Sequence, residues 1–249
     1  MGKSLFKYYK AEPYVRKLVK GEKLSFAFYS SFIDQNELEW HINSKKLDGW
    51  TKEDVNTYLN QIKEYINAHF CICCFTKSHP KISKKHWEVF AKTDGVCFEY
   101  DLNAINNLIL KNNKQTNSLI IKEVKYGNNF FDITPFPKTF EDMLPKNPNE
   151  NDAVYVCDNI YSELCIQGYD HLITDALSYK LEKDYKWENE FRIICRKTKC
   201  NSGEEAYIYL GKIIPLRVYV NKHTNIELIN FLEFYSKQKG FEIVYLPII

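Results

Sequence analysis

The chain lacks a long apolar run and any strong excess of one charge. No stretch reaches the roughly 18 apolar residues of a membrane-spanning helix, and the first residues do not form the apolar segment of a signal peptide. Because 34 basic residues face 32 acidic ones, the net charge of +2 provides no protein-wide field that attracts nucleic acid or anionic membrane. The sequence predicts a soluble, cytoplasmic protein without a membrane partner, and it leaves a local basic groove open.

Several motifs that identify common chemistries are also missing. There is no Gly-x-Gly-x-x-Gly and no Walker-type loop, since Gly2-Lys3-Ser4 lacks the preceding strand and glycine. Neither a Gly-x-Ser-x-Gly elbow nor a His-Glu-x-x-His pair occurs. These absences exclude the dinucleotide, nucleoside triphosphate, hydrolase and zinc-peptidase sites that depend on those motifs.

The eight cysteines do not predict a disulfide framework, because the chain is long and carries no secretion signal. Cys71, Cys73 and Cys74 lie in an apolar run that lacks the second ligand pair of a zinc site. We therefore expect reduced thiols that pack as small apolar residues, and no metal.

Hydrophobic periodicity predicts about eight strands and four or five helices, without regular β-α-β spacing, and the predicted strands include residues 70–76, 118–126 and 190–196. This pattern favours one α+β domain over residues 1–249, with a mixed, mostly antiparallel sheet and peripheral helices. A helix is expected over residues 51–69, where Thr51 and Asp54 can form a capping box. Residues 127–150 predict a surface excursion, and residues 153–180 predict a helical insertion.

The most distinctive stretch is residues 187–194, where two carboxylates and a guanidinium alternate at the start of a β-prone run. Alternate residues of a strand share a face, so Glu188, Glu190 and Arg192 are expected to form one charged row. Two interpretations stay open: a solvated face with one Glu–Arg pair, or the wall of a cleft.

Two further clusters carry polar and aromatic residues in patterns that can bind a ligand. Thr76 ends a predicted strand, a crossover with Trp87 follows, and Tyr100 closes the next strand. Near the N-terminus, Lys7 and Tyr8 belong to an interleaved basic and aromatic stretch that can hold a phosphate and stack a base. The plainer alternatives are a turn-forming hydroxyl, a core tryptophan and a surface strand whose lysine stems lie along it.

In this order the motifs resemble the bacterial domain-of-unknown-function family 2971. The most specific part is the Lys-x-x-x-Trp-x-x-Glu-x-Arg pattern of residues 183–192, and Thr76 stands where the family has Ser. The family name implies no activity. The matching segments are Lys7-Tyr8-Tyr9, residues 32–37, Cys74-Phe75-Thr76, His86-Trp87, residues 95–100, Val124-Lys125-Tyr126, residues 183–192 and Leu210-Gly211.

The clusters also resemble the ADP-ribosyltransferase superfamily. Its members carry His or Arg on one strand, Ser or Tyr on a second, and Glu, often as Glu-x-Glu, at the start of a third. Here Lys7-Tyr8, then Thr76 with Tyr100, and then Glu188-x-Glu190 follow that order, with Lys where His or Arg is expected. The resemblance implies a split sheet and NAD as substrate.

That resemblance also implies roles for single residues. Glu190 would be the catalytic carboxylate and Glu188 would orient the acceptor, because a carboxylate favours positive charge on the ribose. Glu190 would then line a cleft, so Glu190→Gln is expected to leave the melting temperature unchanged or slightly raised. The expected NAD-binding residues are Lys7, Tyr8, Thr76, Trp87, Tyr100 and Arg192.

The leading hypothesis is thus an ADP-ribosyltransferase-like enzyme that modifies a protein or nucleic acid, as a bacterial toxin or phage-defence effector with an antitoxin or immunity partner. The first alternative is a non-catalytic module that binds nucleic acid or a protein through its Tyr- and Lys-rich face. The second is a metal-dependent nuclease that would use Asp34, Glu37 and Glu190.

Overall fold

The computed structural model confirms the predicted α+β fold. It describes residues 4–11, 13–28, 40–43, 45, 47, 49–92, 94–116, 119–135, 170–196, 207–210 and 212–247. The strands in this part of the chain are β1 Ser4–Tyr9, β2 Leu24–Phe28, β3 Trp40–His41, β4 Phe70–Thr76, β5 Val96–Asp101, β6 Leu119–Glu123, β7 Lys125–Gly127, β8 Phe131–Asp132, β9 Tyr179–Leu181, β10 Glu190–Arg196, β11 Tyr207–Leu210, β12 Arg217–Val220 and β13 Glu242–Tyr245.

The helices lie between and after these strands. They are α1 Pro13–Gly21, α2 Lys52–His69, α3 Lys84–His86, α4 Leu102–Thr116, α5 Asp170–Ala176, α6 Glu182–Tyr185 and α7 Ile226–Lys239. A π-helical turn, Trp87–Ala91, continues α3, and a 3-10 turn, Lys186–Glu188, continues α6.

Local sequence signals fix the ends of the longer helices. The capping box predicted for α2 is present, since the Thr51 side chain accepts from the Asp54 N–H and Asp54 accepts from the Thr51 N–H. Asn225 caps α7 with its side chain, which accepts from the N–H groups of Glu227 and Leu228, and Gly240 ends the helix in the left-handed region at φ 79°. The sequence therefore sets where these helices begin and end before any tertiary contact forms.

Nine strands form one sheet, in which β4 is the central strand. Along one edge β4 pairs with β10 over its whole length, and β10 pairs in turn with β6. Its other edge is shared: β2 pairs with Ile72 and Cys71, whereas β1 pairs with Thr76. We call this change of partner the fork. Two branches leave it, β2–β11 and β1–β5–β12–β13, and only the β12–β13 pair is parallel.

Helices and loops cover both faces of the sheet. On one face, α1, α4 and α7 pack over apolar side chains of β4, β5 and β10, such as Cys73, Phe98 and Ile193. On the other face, α2 packs on Ile72 and Ile194. We call this second face the site face, since Glu190 belongs to it by strand alternation. A sheet buried on both sides explains why its central strands read as nearly continuous apolar runs.

Three segments differ from the expectation or lie partly outside the described residues. The strand expected over residues 118–126 is interrupted at Val124, whose N–H donates to the Glu190 carbonyl at 3.1 Å. Residues 153–180 are helical at 170–176 but end in a strand at Tyr179 and Lys180. In the expected excursion, β7 ends at Gly127 and β8 follows; residues 136–150 and 153–169 lie outside the described residues.

No helix in the described residues combines the length and the apolar character that crossing a membrane requires. The five cysteines in the described residues are thiols and form no disulfide there; Cys157, Cys165 and Cys200 lie outside them.

Candidate functional site

The pairing of three strands brings the three sequence clusters together on the site face. Glu190 opens β10 and lies opposite Thr76 of β4. Thr76 lies opposite Phe6 of β1, and Phe6 lies opposite Glu99 of β5. Paired residues of neighbouring strands point to the same face, so these four side chains form one row across the sheet.

Glu188 reaches this row from a turn and not from the strand. The expected three-residue row is therefore wrong at its first member, because β10 begins at Glu190 and Glu188 ends the 3-10 turn. Asn189 makes the bend between them in the left-handed region, at φ 46°. The Thr76 hydroxyl donates to the Glu188 carbonyl at 2.6 Å, and His86 Nε2 lies 3.1 Å from the same oxygen. This bend turns both carboxylates toward one cation.

That cation is Lys180, which completes a buried ionic cluster that we call the carboxylate network: Lys180, Glu188, Glu190 and Arg192. Lys180 Nζ lies 2.5 Å from Glu188 Oε2 and 2.8 Å from Glu190 Oε2. Arg192 binds Glu190 through two nitrogens, at 2.8 and 3.0 Å, and donates to the Leu177 carbonyl at 2.5 Å. All four residues are buried, so the interpretation as a solvated face is wrong.

Burial and charge pull the ionisation of Glu190 in opposite directions. Burial raises the pKa of the carboxyl, but the cations of Arg192 and Lys180 outweigh it and hold the pKa well below its usual range. The two cations therefore favour the ionised form of Glu190. Its N–H donates to the Tyr126 hydroxyl at 2.8 Å, and burial is the main reason why the pKa of Tyr126 is raised to about 12.

A chain of aromatic rings in contact with one another runs from the site face to the surface. We call Tyr8, His86, Trp187 and Phe90 the aromatic ladder. The ring centroids of Tyr8 and His86 lie 5.4 Å apart in a stacked arrangement, and His86 contacts Trp187 edge-on at 4.9 Å. Trp187 and Phe90 are nearly parallel at 5.8 Å. Burial lowers the pKa of His86 and favours its neutral form.

The expected cofactor-binding residues separate into two groups. Tyr8, Thr76 and Arg192 lie on the site face with the carboxylates, whereas Lys7 and Tyr100 lie on the opposite face. Lys7 Nζ donates to the Cys74 carbonyl at 3.0 Å within the fork. Tyr100 is only 1% exposed and packs in the core against α1, α4 and α7. Because the sheet stands between them, Lys7 and Tyr100 do not contribute to the site.

Trp87 is on the site face but is a packing residue. It is 2% exposed, its Nε1 donates to the Pro80 carbonyl at 3.0 Å, and it meets Tyr8 edge-on. A side chain so enclosed supports the ring of Tyr8 and leaves no free face for a ligand. The expectation that Trp87 lines a cleft is therefore corrected.

A second buried carboxylate lies at the other end of the row. Glu99 accepts from the Ser4 and Tyr219 hydroxyls, both at 2.6 Å, and pairs with Arg217 at 3.2 Å. We call these four residues the Glu99 cluster. Burial raises the pKa of Glu99, but Ser4, Tyr219 and Arg217 together outweigh it and lower the pKa.

Sequence reasoning missed Lys180, His86 and Tyr126. Lys180 lies in a segment expected to be helical, so nothing predicted that it would face two carboxylates. His86 does carry a signal in the sequence, since it adjoins Trp87 in the crossover. In the described residues, no group of three or more His, Cys, Asp or Glu side chains is placed to hold a metal ion; Asp34 and Glu37 lie outside them.

Comparison with known proteins identifies no relative that would assign this site. No family model matches the chain, and neither the curated proteins nor the solved structures contain a significant match. The two resemblances based on motifs therefore stay predictions.

Proposed function

We propose that this protein is an ADP-ribosyltransferase-like enzyme that uses NAD to modify a macromolecule in the bacterial cytoplasm, as a toxin or phage-defence effector. One observation carries the proposal: β4, which carries Thr76, is flanked in the sheet by β1, which carries Tyr8, and by β10, which carries Glu190. On them Tyr8, Thr76 and Glu190 share one face, although more than a hundred residues separate the last two.

The chemistry of the available groups fits NAD. Glu190 is held as an anion by Arg192 and Lys180, so its negative charge can favour positive charge that develops on the ribose. A fixed charge in a buried surrounding acts more strongly than the same charge in water. The half-buried ring of Tyr8, which stacks on the buried His86, offers an aromatic surface to the nicotinamide. NAD would supply the ADP-ribosyl group, with nicotinamide as leaving group.

The remaining residues of the network have supporting roles in this proposal. Arg192 is a positioning residue, because it binds the Glu190 carboxylate through two nitrogens and also donates to the Leu177 carbonyl. Lys180 bridges the two carboxylates and keeps them close. Glu188 would orient the acceptor, as its backbone is fixed by Thr76 and His86.

The deciding experiment measures the transfer of labelled ADP-ribose from NAD to protein, DNA and RNA acceptors, together with the release of nicotinamide. Glu190→Gln removes the charge but keeps the side-chain volume, so we expect a rate about a hundredfold to a thousandfold lower. Glu227→Gln is the control, because the Glu227 side chain is 81% exposed in the first turn of α7 and should leave the rate unchanged.

Both variants must be assayed below their melting temperatures, with the folded fraction measured by circular dichroism. A wild-type protein that neither binds nor consumes NAD would overturn the proposal and leave the non-catalytic binding module. Equal rates for wild type and Glu190→Gln would remove Glu190 from the mechanism.

A further inference from the structure

We propose that the crossover of residues 77–92, together with Trp187, is a docking surface for single-stranded nucleic acid. This inference rests on the proposed function, for which it names the class of acceptor. Three observations carry it: the local charge, the exposed rings, and the position of the surface beside the two carboxylates.

The charge of this segment differs from that of the whole chain. Residues 77–92 contain five lysines and one glutamate, whereas the chain has 34 basic and 32 acidic residues. Lys81, Lys84 and Lys85 are exposed. Lys84 pairs with Glu88 at 3.8 Å, but both side chains are more than half exposed, and water screens such pairs. The segment thus offers a concentrated cationic surface to phosphates.

The outer end of the aromatic ladder lies within this basic segment. Phe90 is 38% exposed and almost parallel to the half-buried Trp187, and Lys85 Nζ lies 4.0 Å from the centroid of the Trp187 ring. Exposed rings beside cations are the combination that single-stranded nucleic acids use, because bases stack on rings while the phosphates pair with cations. In a duplex the faces of the bases are already stacked on each other, so a single strand is the better fit.

The same rings lead inward to the carboxylates. Trp187 contacts His86, and His86 Nε2 lies 3.1 Å from the carbonyl of Glu188, the residue proposed to orient the acceptor. A nucleotide stacked on Phe90 would therefore lie beside the residue that must orient it. Ile82 and Val89, exposed by 83% and 40%, extend the apolar part of the surface.

The test is a binding measurement without NAD, so that it does not depend on catalysis. Fluorescence anisotropy would follow labelled single-stranded DNA and RNA of about 12 nucleotides, and a DNA duplex of the same length. We expect both single strands to bind more tightly than the duplex. Phe90→Ala should weaken binding about tenfold. Lys85→Gln should reduce the slope of the logarithm of the binding constant against the logarithm of the salt concentration by about one.

Matched controls come from α7, on the opposite face of the sheet. Phe234→Ala removes a ring that is 59% exposed, and Lys237→Gln removes an exposed cation, so both should bind like wild type. The inference is overturned if wild type does not bind single strands, if Phe90→Ala and Lys85→Gln bind like wild type, or if anionic lipid vesicles compete the oligonucleotide away.

The result also separates this inference from the proposed function. Binding of single strands by a protein that does not consume NAD would support the surface and overturn the transferase. Consumption of NAD by a protein that does not bind single strands would support the transferase and overturn the surface.

Discussion

The carboxylate network and the Glu99 cluster place two buried acids on one row of the site face and balance them in different ways. Glu190 is paired with Lys180 and Arg192, whose side chains are each 2% exposed. Glu99 is held by two hydroxyls and by Arg217, whose side chain is 45% exposed. The sheet thus contains one carboxylate balanced by two buried cations and one balanced by a single cation that reaches water.

This difference determines what each cluster does for the fold. Removing one member of a buried ion pair leaves the other as an uncompensated charge, which is costly. Removing an exposed partner lets water replace it, so the cost is small. The proposed catalytic carboxylate is therefore also a structural residue, and the expectation that Glu190→Gln leaves the melting temperature unchanged or raised is corrected: we now expect a lower one.

The largest expected difference in stability comes from removing the arginine of each cluster. Arg192→Ala should lower the free energy of unfolding by about 3 to 5 kcal/mol, because Glu190 and the Leu177 carbonyl both lose a buried partner. Arg217→Ala should cost about 1 kcal/mol or less. Urea unfolding followed by circular dichroism measures both, and equal losses would show that burial does not distinguish the clusters.

An acid titration tests how much the ionised form of Glu190 contributes to stability. The folded state lowers the pKa of Glu190 from 4.5, so its contribution to stability is complete above that value and is lost as the pH falls below it. Between about pH 5 and pH 3, wild type should lose more stability than Glu190→Gln, because only wild type has this carboxylate to protonate. Thermal unfolding at each pH is the measurement.

Glu99→Gln is the matched variant for that titration. The folded state also lowers the pKa of Glu99, so its contribution to stability is lost as the pH falls. The stability of Glu99→Gln should therefore decrease less than that of wild type on acidification. This difference from wild type should be smaller than for Glu190→Gln, because hydroxyls provide two of the contacts to Glu99. A larger change in acid dependence for Glu99→Gln than for Glu190→Gln would show that Glu99 is the more strongly stabilised carboxylate.

The smallest expected difference concerns two hydroxyls, that of Thr76, which supports the backbone of Glu188, and that of Ser4 in the Glu99 cluster. Thr76 is 5% exposed, and its hydroxyl donates to the Glu188 carbonyl and accepts from the Ser78 N–H at 3.0 Å. Thr76→Val should therefore cost about 1 to 2 kcal/mol. Ser4 is half-buried at the end of its strand, so Ser4→Ala should cost less than about 1 kcal/mol. Chemical unfolding measures both losses of stability, and a larger loss for Ser4→Ala than for Thr76→Val would contradict this expectation.

Local patterns in the sequence were enough to predict much of the fold. The capping box of α2, the strand β4 Phe70–Thr76 and the strand β10 Glu190–Arg196 are present where the sequence predicts them. These elements depend on short-range signals, namely a cap, an apolar run and flanking turn residues. The mostly antiparallel α+β arrangement followed from the irregular spacing of helices and strands.

The composition of the site was only partly predictable, because it depends on which face of a strand is covered and by what. Alternation placed Glu190 and Arg192 on one face correctly, but it does not reveal that the face is buried. It also does not reveal that Lys180, from a short strand outside the main sheet, lies between the carboxylates. Lys7 and Tyr100 were assigned by motif order alone, which contains no information about faces.

The antiparallel pairing of β10 with β4 also has a consequence for how the molecule forms. It joins segments more than a hundred residues apart, and contacts so distant along the chain form slowly. During synthesis Tyr8, Thr76 and His86 are made well before Glu190, so the aromatic half of the site exists without its acidic half. Until β10 is added, the edge of β4 that it will occupy is open to other strands, and such edges promote aggregation. The last strand of the site therefore provides its carboxylate and closes this edge in a single step.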